Sequence, residues 1–234
     1  PGLGFLTREL LTSSRHVLAL EKDDRLFAWG QKHLAGEQLT LLHGVVLASK
    51  SQLNPHFVSP LKRLAPQAGV RVVAHLLYGA ATPLVLALLC ELPALKGLTV
   101  MVQWEAAERF AAKCAADPGF GAVSLLLAAL CERREIVRAV PRQVFWPRPK
   151  VQSAIFRCSP RAGPTEHFAA LERVVRGLYC YRRKRLSRAA AAAEHGLGGI
   201  RDALEQSSLD GSVPLEQLGL RDFEHLAAVW SQLT

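Results

Sequence analysis

At 234 residues, half of them hydrophobic, the chain can bury one good core and a small second lobe. A formal net charge of +9 and a pI near 9.7 imply an anionic partner, nucleic acid first, although surplus arginine also serves solubility. Pro83, Glu91 and Pro93 break the richest apolar run short of the ~20 residues a membrane span needs, and Cys90, Cys114, Cys131, Cys158 and Cys180 lack the paired spacing of a zinc site. A soluble chain without a structural metal is therefore expected. The odd cysteine count and the lack of a secretory signal point to the cytosol, with reduced thiols that mostly serve packing.

The chain opens at Pro1, directly inside a Gly2-Leu3-Gly4 turn. The strand that ought to precede such a turn is missing, which reads as a fragment. Gly2 and Gly4 lack Cβ atoms, so backbone amides can approach a ligand, and a helix opening at about Phe5 offers free N–H groups. Val17 to Leu20 reads as a buried strand ending in Glu21. That carboxylate stands at about the ~20-residue spacing of a ribose-binding acid; a solvated strand-end acid is the plainer alternative.

Periodicity then predicts a helix over Asp24–Leu34, a short strand over Leu39–Leu42, and loops with a short helix between Ser49 and Gly69, where Asn54-Pro55, Ser59-Pro60 and Pro66 fall. Val70–Ala74 is expected as a strand, Ala81–Glu91 as a helix, Leu98–Val102 as a strand and Glu105–Ala115 as a helix. The alternation is that of a doubly wound α/β sheet, with ligands at the C-terminal ends of the strands. Val123–Leu130 and Val151–Arg157 are expected as further strands, Lys150 opening the latter. A composition shift at Arg161-Ala-Gly-Pro164 divides residues 1–160 from a helical domain at 165–234. Helices are predicted there over Thr165–Tyr181, through Ala189–Ala193, over Ile200–Gln206 and over Leu220–Leu233; the pentaalanine is an excellent helix former.

Two segments carry candidate chemistry beyond the glycine turn. Phe145-Trp-Pro-Arg-Pro-Lys-Val-Gln-Ser153 joins aromatics to cations on a loop that Pro147 and Pro149 hold extended. Such a loop suits a nucleobase on a flat π-face and phosphates on the charges, and it also suits a stiff lid over a core. Tyr179-Cys-Tyr181 beside Arg182, Arg183, Lys184 and Arg185 reads as an RNA-facing edge or as a solvated charge run.

The first of these segments resembles the Phe-x-Pro-x-Pro-Lys-Val-x-Ser signature of the rRNA adenine N6,N6-dimethyltransferase family, which are S-adenosylmethionine enzymes that modify adenosines near the 3′ end of small-subunit rRNA. The resemblance continues through Pro1 to Thr7, Leu18 to Asp23, the turn at Tyr78, Gln103 to Arg109 and the Arg182 cluster. It implies a Rossmann-like methyltransferase sheet that lacks its first strand, followed by a small all-helical RNA-binding domain. It further implies S-adenosyl-L-methionine as cofactor and small-subunit rRNA, or a pre-ribosomal particle, as partner. By resemblance Gly2, Gly4, Glu21, the Val45 position and His75 hold the cofactor, and His75, Tyr78 and Phe145 frame the target adenine. Lys150 and residues 182–185 meet the RNA backbone.

The family's Asn-Leu-Pro-Tyr tetrapeptide supplies a side-chain oxygen and a backbone carbonyl that accept hydrogens from the adenine amine, while the tyrosine stacks on the base. Here the tetrapeptide is His75-Leu-Leu-Tyr78, and Val45 replaces an aspartate that recognises the cofactor's adenine. A neutral imidazole offers at most one acceptor nitrogen and an imidazolium none. His75 can equally be a packed strand-end residue. A weakened enzyme is thus one expectation; the other is a non-catalytic RNA-binding relative acting in ribosome assembly or transcription. A small-molecule methyltransferase is disfavoured by the basic lobe.

Overall fold

The computed structural model describes all residues except 35, 50, 51, 65–68, 77, 93 and 162–166, and the side chain of Tyr78. Leu77, Pro66, Pro93 and the 162–164 part of the expected boundary therefore lie outside the described residues, as do the first two residues of the helix expected from Thr165. The described chain falls into two compact units, residues 1–69 with 83–94, and residues 70–82 with 95–234.

In the first unit, helix α1 (Phe5–Ser13) leads into strand β1 (Val17–Glu21), helix α2 (Asp24–His33) and strand β2 (Leu39–His43). β1 and β2 pair in parallel, with Val17 opposite Leu39 and Glu21 opposite His43, so both strands end on one edge. Asp23 caps α2 by accepting from the N–H groups of Arg25 and Leu26, each at 2.9 Å, which satisfies donors the helix cannot pair internally. Asn54 does the same for α3 (Pro55–Leu64), accepting from His56 N–H at 3.0 Å ahead of a proline at the first helical position. Helix α4 (Ala81–Glu91) occupies the range its periodicity predicts, and the Glu91 carboxylate accepts from Leu53 N–H at 3.1 and 3.2 Å.

The second unit holds a four-stranded sheet in the order β3 (Val70–His75), β4 (Leu95–Gln103), β6 (Ser153–Pro160), β5 (Cys131–Val140). β3 and β4 run parallel, and β6 is antiparallel to both β4 and β5. Leu98, Val100 and Val102 of β4 alternate inward beside Ala154, Phe156 and Cys158 of β6, all essentially inaccessible. Helices α5 (Trp104–Ala111) and α6 (Ala122–Leu130) pack on this sheet. Phe110 meets Phe156 edge-on at 5.3 Å, a pair of fully buried rings that stabilises by ~1.5–3 kcal/mol per ring.

Several sequence expectations need correction. Val123–Leu130 is helix α6 rather than a strand; a short run of leucine and alanine has no diagnostic period when it is buried on several sides, and the C-terminal helices α7 (Phe168–Tyr179) and α10 (Leu220–Leu233) pack against this one. The strand in this region is the charged β5, whose exposed positions hide its alternation. Lys150 does not open a strand, because β6 begins at Ser153. The expectation that the cysteines mostly serve packing holds only for Cys131 and Cys158, since Cys90, Cys114 and Cys180 are exposed.

The C-terminal helices α7 (Phe168–Tyr179), α8 (Leu186–Ala193), α9 (Ile200–Ser207) and α10 (Leu220–Leu233) bury matching i, i+3, i+4, i+7 stripes. Ala189, Ala190 and Ala193 form most of the α8 stripe, so the pentaalanine allows close helix contact. Trp230 donates its indole N–H to the Gly198 carbonyl at 3.0 Å, and Arg173 lies 4.7 Å over its ring.

Candidate functional site

The glycine turn is built around Glu21. Gly2 and Gly4 both adopt left-handed φ, 58° and 76°, and Gly4 N–H closes the turn on the Pro1 carbonyl at 2.9 Å. The Glu21 carboxylate accepts from Gly2 N–H on Oε2 and from Lys22 and Asp23 N–H on Oε1, at 2.9, 2.9 and 3.0 Å. Burial alone would raise this pKa, but the backbone donors of Asp23 and Gly2 oppose it, and the carboxyl is held well below its ordinary 4.5. Glu21 is an ionised, buried strand-end acceptor at neutral pH.

The two glycines differ in what they are for. A Cβ on Gly2 would meet nothing within 4 Å, whereas a Cβ on Gly4 would stand 2.5 Å from both terminal methyls of Leu34. Gly4 thus serves the turn and the packing of Leu34, a partner that sequence reading missed. No side chain caps α1.

Val45 follows β2 and is 48% exposed. Its carbonyl accepts from Asn54 Nδ2 at 3.1 Å, and the Val46 carbonyl accepts from Asn54 N–H at 2.7 Å. Asn54, also missed, fixes this loop; the Asn-Pro pair before a helix was its visible signal. The Val45 side chain supplies no acceptor.

In the second unit, topology brings the signature loop to His75. β3 ends at His75 opposite Met101, β4 ends at Gln103 opposite Ser153, and Ser153 also faces Val140 at the end of β5. The loop of residues 141–152 therefore hangs from the edge at which β3 stops. The rings of Phe145 and His75 lie 6.0 Å apart at 47°. His75 keeps one side open to solvent, but burial of the other pushes its pKa below the ordinary 6.5. It is a neutral imidazole at pH 7. Leu76 N–H is already paired with the Met101 carbonyl at 3.1 Å.

Arg142 pins the loop by donating Nη1 to the Lys150 carbonyl at 2.9 Å, and Trp104 N–H reaches the Gln152 carbonyl at 2.9 Å. Lys150 itself is exposed. So are Arg182, Arg183, Lys184 and Arg185, although Arg185 gives Nη1 to the Ser212 carbonyl at 2.8 Å and Lys184 Nζ lies 5.1 Å over the Tyr181 ring. The expected run of aromatics along this edge is corrected in one member: Tyr179 is buried against Phe223.

The family described as ribosomal RNA adenine dimethylase matches residues 1–228. The chain belongs to this family. Among curated relatives of this dimethylase-family chain, ribosomal RNA small subunit methyltransferase A of Thermobifida fusca is 34% identical over 97% of the chain and 77% of its own length. The protein of the same name from Kineococcus radiotolerans is 36% identical over 97% and 74%. The α/β fold with C-terminal helices matches a dimethyladenosine transferase from Plasmodium falciparum, TM-score 0.78 at 21% identity, over 99% of this chain and 87% of that one. It also matches the 23S rRNA methyltransferase ErmE, TM-score 0.64 at 23% identity, over 99% and 88%.

Proposed function

We propose that this chain transfers methyl groups from S-adenosylmethionine to the N6 amine of adenosine in small-subunit rRNA. The observation that carries this reading is the placement of Phe145, the first residue of the signature loop, 6.0 Å from His75 at the end of β3. Phe145 offers a flat face to an unstacked base, and a neutral His75 offers one nitrogen acceptor to the amine. The amine's lone pair is delocalised into the purine ring, so an acceptor that withdraws one of its hydrogens as positive charge develops on nitrogen lowers the barrier. Tyr78 is assigned the stacking role that the family gives it.

The residues present fit the cofactor in part. Gly2 exposes its backbone, and Glu21 is a buried carboxylate held ionised at a strand end, as hydrogen bonding to ribose hydroxyls requires. Gly4 would support that turn through Leu34. At Val45 no acceptor is present. The cofactor, when bound, supplies an electrophilic methyl group. The exposed Lys150, Arg182, Arg183, Lys184 and Arg185 would meet phosphates, each contact adding salt-dependent affinity.

No helix among the described residues is long and apolar enough to cross a membrane; a cytoplasmic location is the assignment that accords with rRNA as substrate. Residues 1–160 and 165–234 are assigned as the methyltransferase and RNA-binding portions.

One observation favours a second reading. The side chain at Val45 cannot accept a hydrogen bond and His75 supplies at most one acceptor, as in a family member that binds RNA for ribosome assembly or transcription without methylating it. Calorimetry decides: heat on titration with S-adenosylmethionine supports the enzyme, and RNA binding with no cofactor heat rejects it.

A further inference from the structure

Trp146 is 98% exposed, the most exposed large apolar side chain of the molecule among the described residues. Phe145 beside it turns inward to His75, so successive residues of one loop present aromatic faces to different surroundings. The loop is anchored: Arg142 bridges it to the Lys150 carbonyl, and Phe145 N–H bonds the Arg142 carbonyl at 3.4 Å. The backbone that carries the indole is therefore held before any partner arrives, while the ring itself stands in solvent, free of packing. From Ile136 to Ser159 the chain carries Arg138, Arg142, Arg148, Lys150 and Arg157 and no acid. Arg157 is paired with Glu135, but Arg138, Arg148 and Lys150 are exposed and make no ion pair among the described residues.

The geometry points to Trp146 as the stacking platform for an unpaired nucleotide adjoining the target adenosine, with Arg138, Arg148 and Lys150 on its phosphates. A flat exposed ring within acid-free cationic sequence matches single-stranded nucleic acid, because every base has a π-face and every linkage a negative charge. An apolar protein partner would gain nothing from the cations. This inference rests on the RNA reading above and adds to it a determinant of the bases next to the target.

The test uses the whole chain and a short single-stranded RNA with one adenosine. Trp146→Phe and Trp146→Ala are compared with the wild type, and subtracting the Trp146→Phe titration isolates this indole from Trp29, Trp104 and Trp230. Expected are indole quenching on binding, affinity about five- to a hundredfold lower for Trp146→Ala, and Trp146→Phe within about threefold of wild type. The salt dependence stays unchanged, because no phosphate contact is removed. An abasic site beside the adenosine should weaken wild type and leave Trp146→Ala unaffected. Normal RNA binding by all three proteins without quenching overturns the stacking role while the RNA reading stands. Failure of the wild type to bind RNA, with a family relative binding in parallel, removes the RNA reading and this inference together. Self-association of the wild type that Trp146→Ala abolishes, with RNA affinity intact, would assign the indole to a protein contact and also overturn it.

Discussion

Replacing Glu21 with glutamine keeps the side chain's size and removes its charge. The carbonyl oxygen of glutamine can still accept from Lys22 and Asp23 N–H, but its amide nitrogen then faces Gly2 N–H, donor against donor, where Oε2 now accepts at 2.9 Å. The drop from an ordinary 4.5 to about 2 corresponds to at most about 3 kcal/mol of stability at neutral pH, trimmed to ~1–2 kcal/mol by the water that reaches the strand end. A buried backbone donor left facing another donor costs ~1–3 kcal/mol, so the two routes agree. The sign follows from a carboxylate whose folded pKa is depressed: its contribution is complete above the unfolded value near 4.5 and disappears as pH falls toward 2. Urea unfolding at pH 7 should show Glu21→Gln less stable than wild type by ~1–3 kcal/mol. At pH 2.5 the charge-dependent part of that gap should have largely closed. Equal stability at pH 7, or a gap that does not narrow on acidification, would show that the carboxylate does not hold the turn. If the same group also binds ribose, calorimetry should show weaker S-adenosylmethionine binding for Glu21→Gln at pH 7.

His75 is neutral because burial lowers its pKa, so kcat/KM should be insensitive to this group above 6.5 and fall as pH drops through its folded pKa, where the acceptor nitrogen is lost; in His75→Asn that acid limb should vanish from the pH–rate profile. Val45→Asp restores an acceptor and should tighten cofactor binding about ten- to a hundredfold, equivalent to ~1–3 kcal/mol, in a calorimetric titration. Gly4→Ala forces a left-handed alanine into Leu34 at 2.5 Å and should destabilise by ~2–4 kcal/mol in urea unfolding. Adding Leu34→Ala to it should recover part of that loss.

The sequence exposes elements whose packing is one-sided. β1, β2, β3 and α4 fall within a residue or so of their predicted ranges, because each carries a clean period or a bounded apolar run. It conceals α6, buried on several sides, and β5, whose arginines and glutamates mask a strand. Arg134 of β5 shows why: its Nη1 donates to the Phe110 and Ser124 carbonyls at 3.0 and 2.9 Å, so a residue that reads as surface charge joins the ends of helices. Motif residues such as Glu21 and Phe145 were visible because their chemistry is unusual for their positions. Leu34, packed on Gly4, and Arg142, bonded to the Lys150 carbonyl, support the turn and the loop through contacts that leave no local pattern to read, whereas the Asn54-Pro55 pair marked a helix start but not the Val45 loop that Asn54 also holds.

Methyl transfer by this chain is measured by incorporation of labelled methyl groups from S-adenosylmethionine into small ribosomal subunits that lack adenosine dimethylation, with an active family relative run in parallel. Label is expected at adenosine N6, lower than the relative's and raised when His75→Asn and Val45→Asp are combined. No label from the wild type while the relative labels the same subunits would contradict methyl transfer by this chain, and no gain in the double variant would remove Val45 and His75 as its weak points.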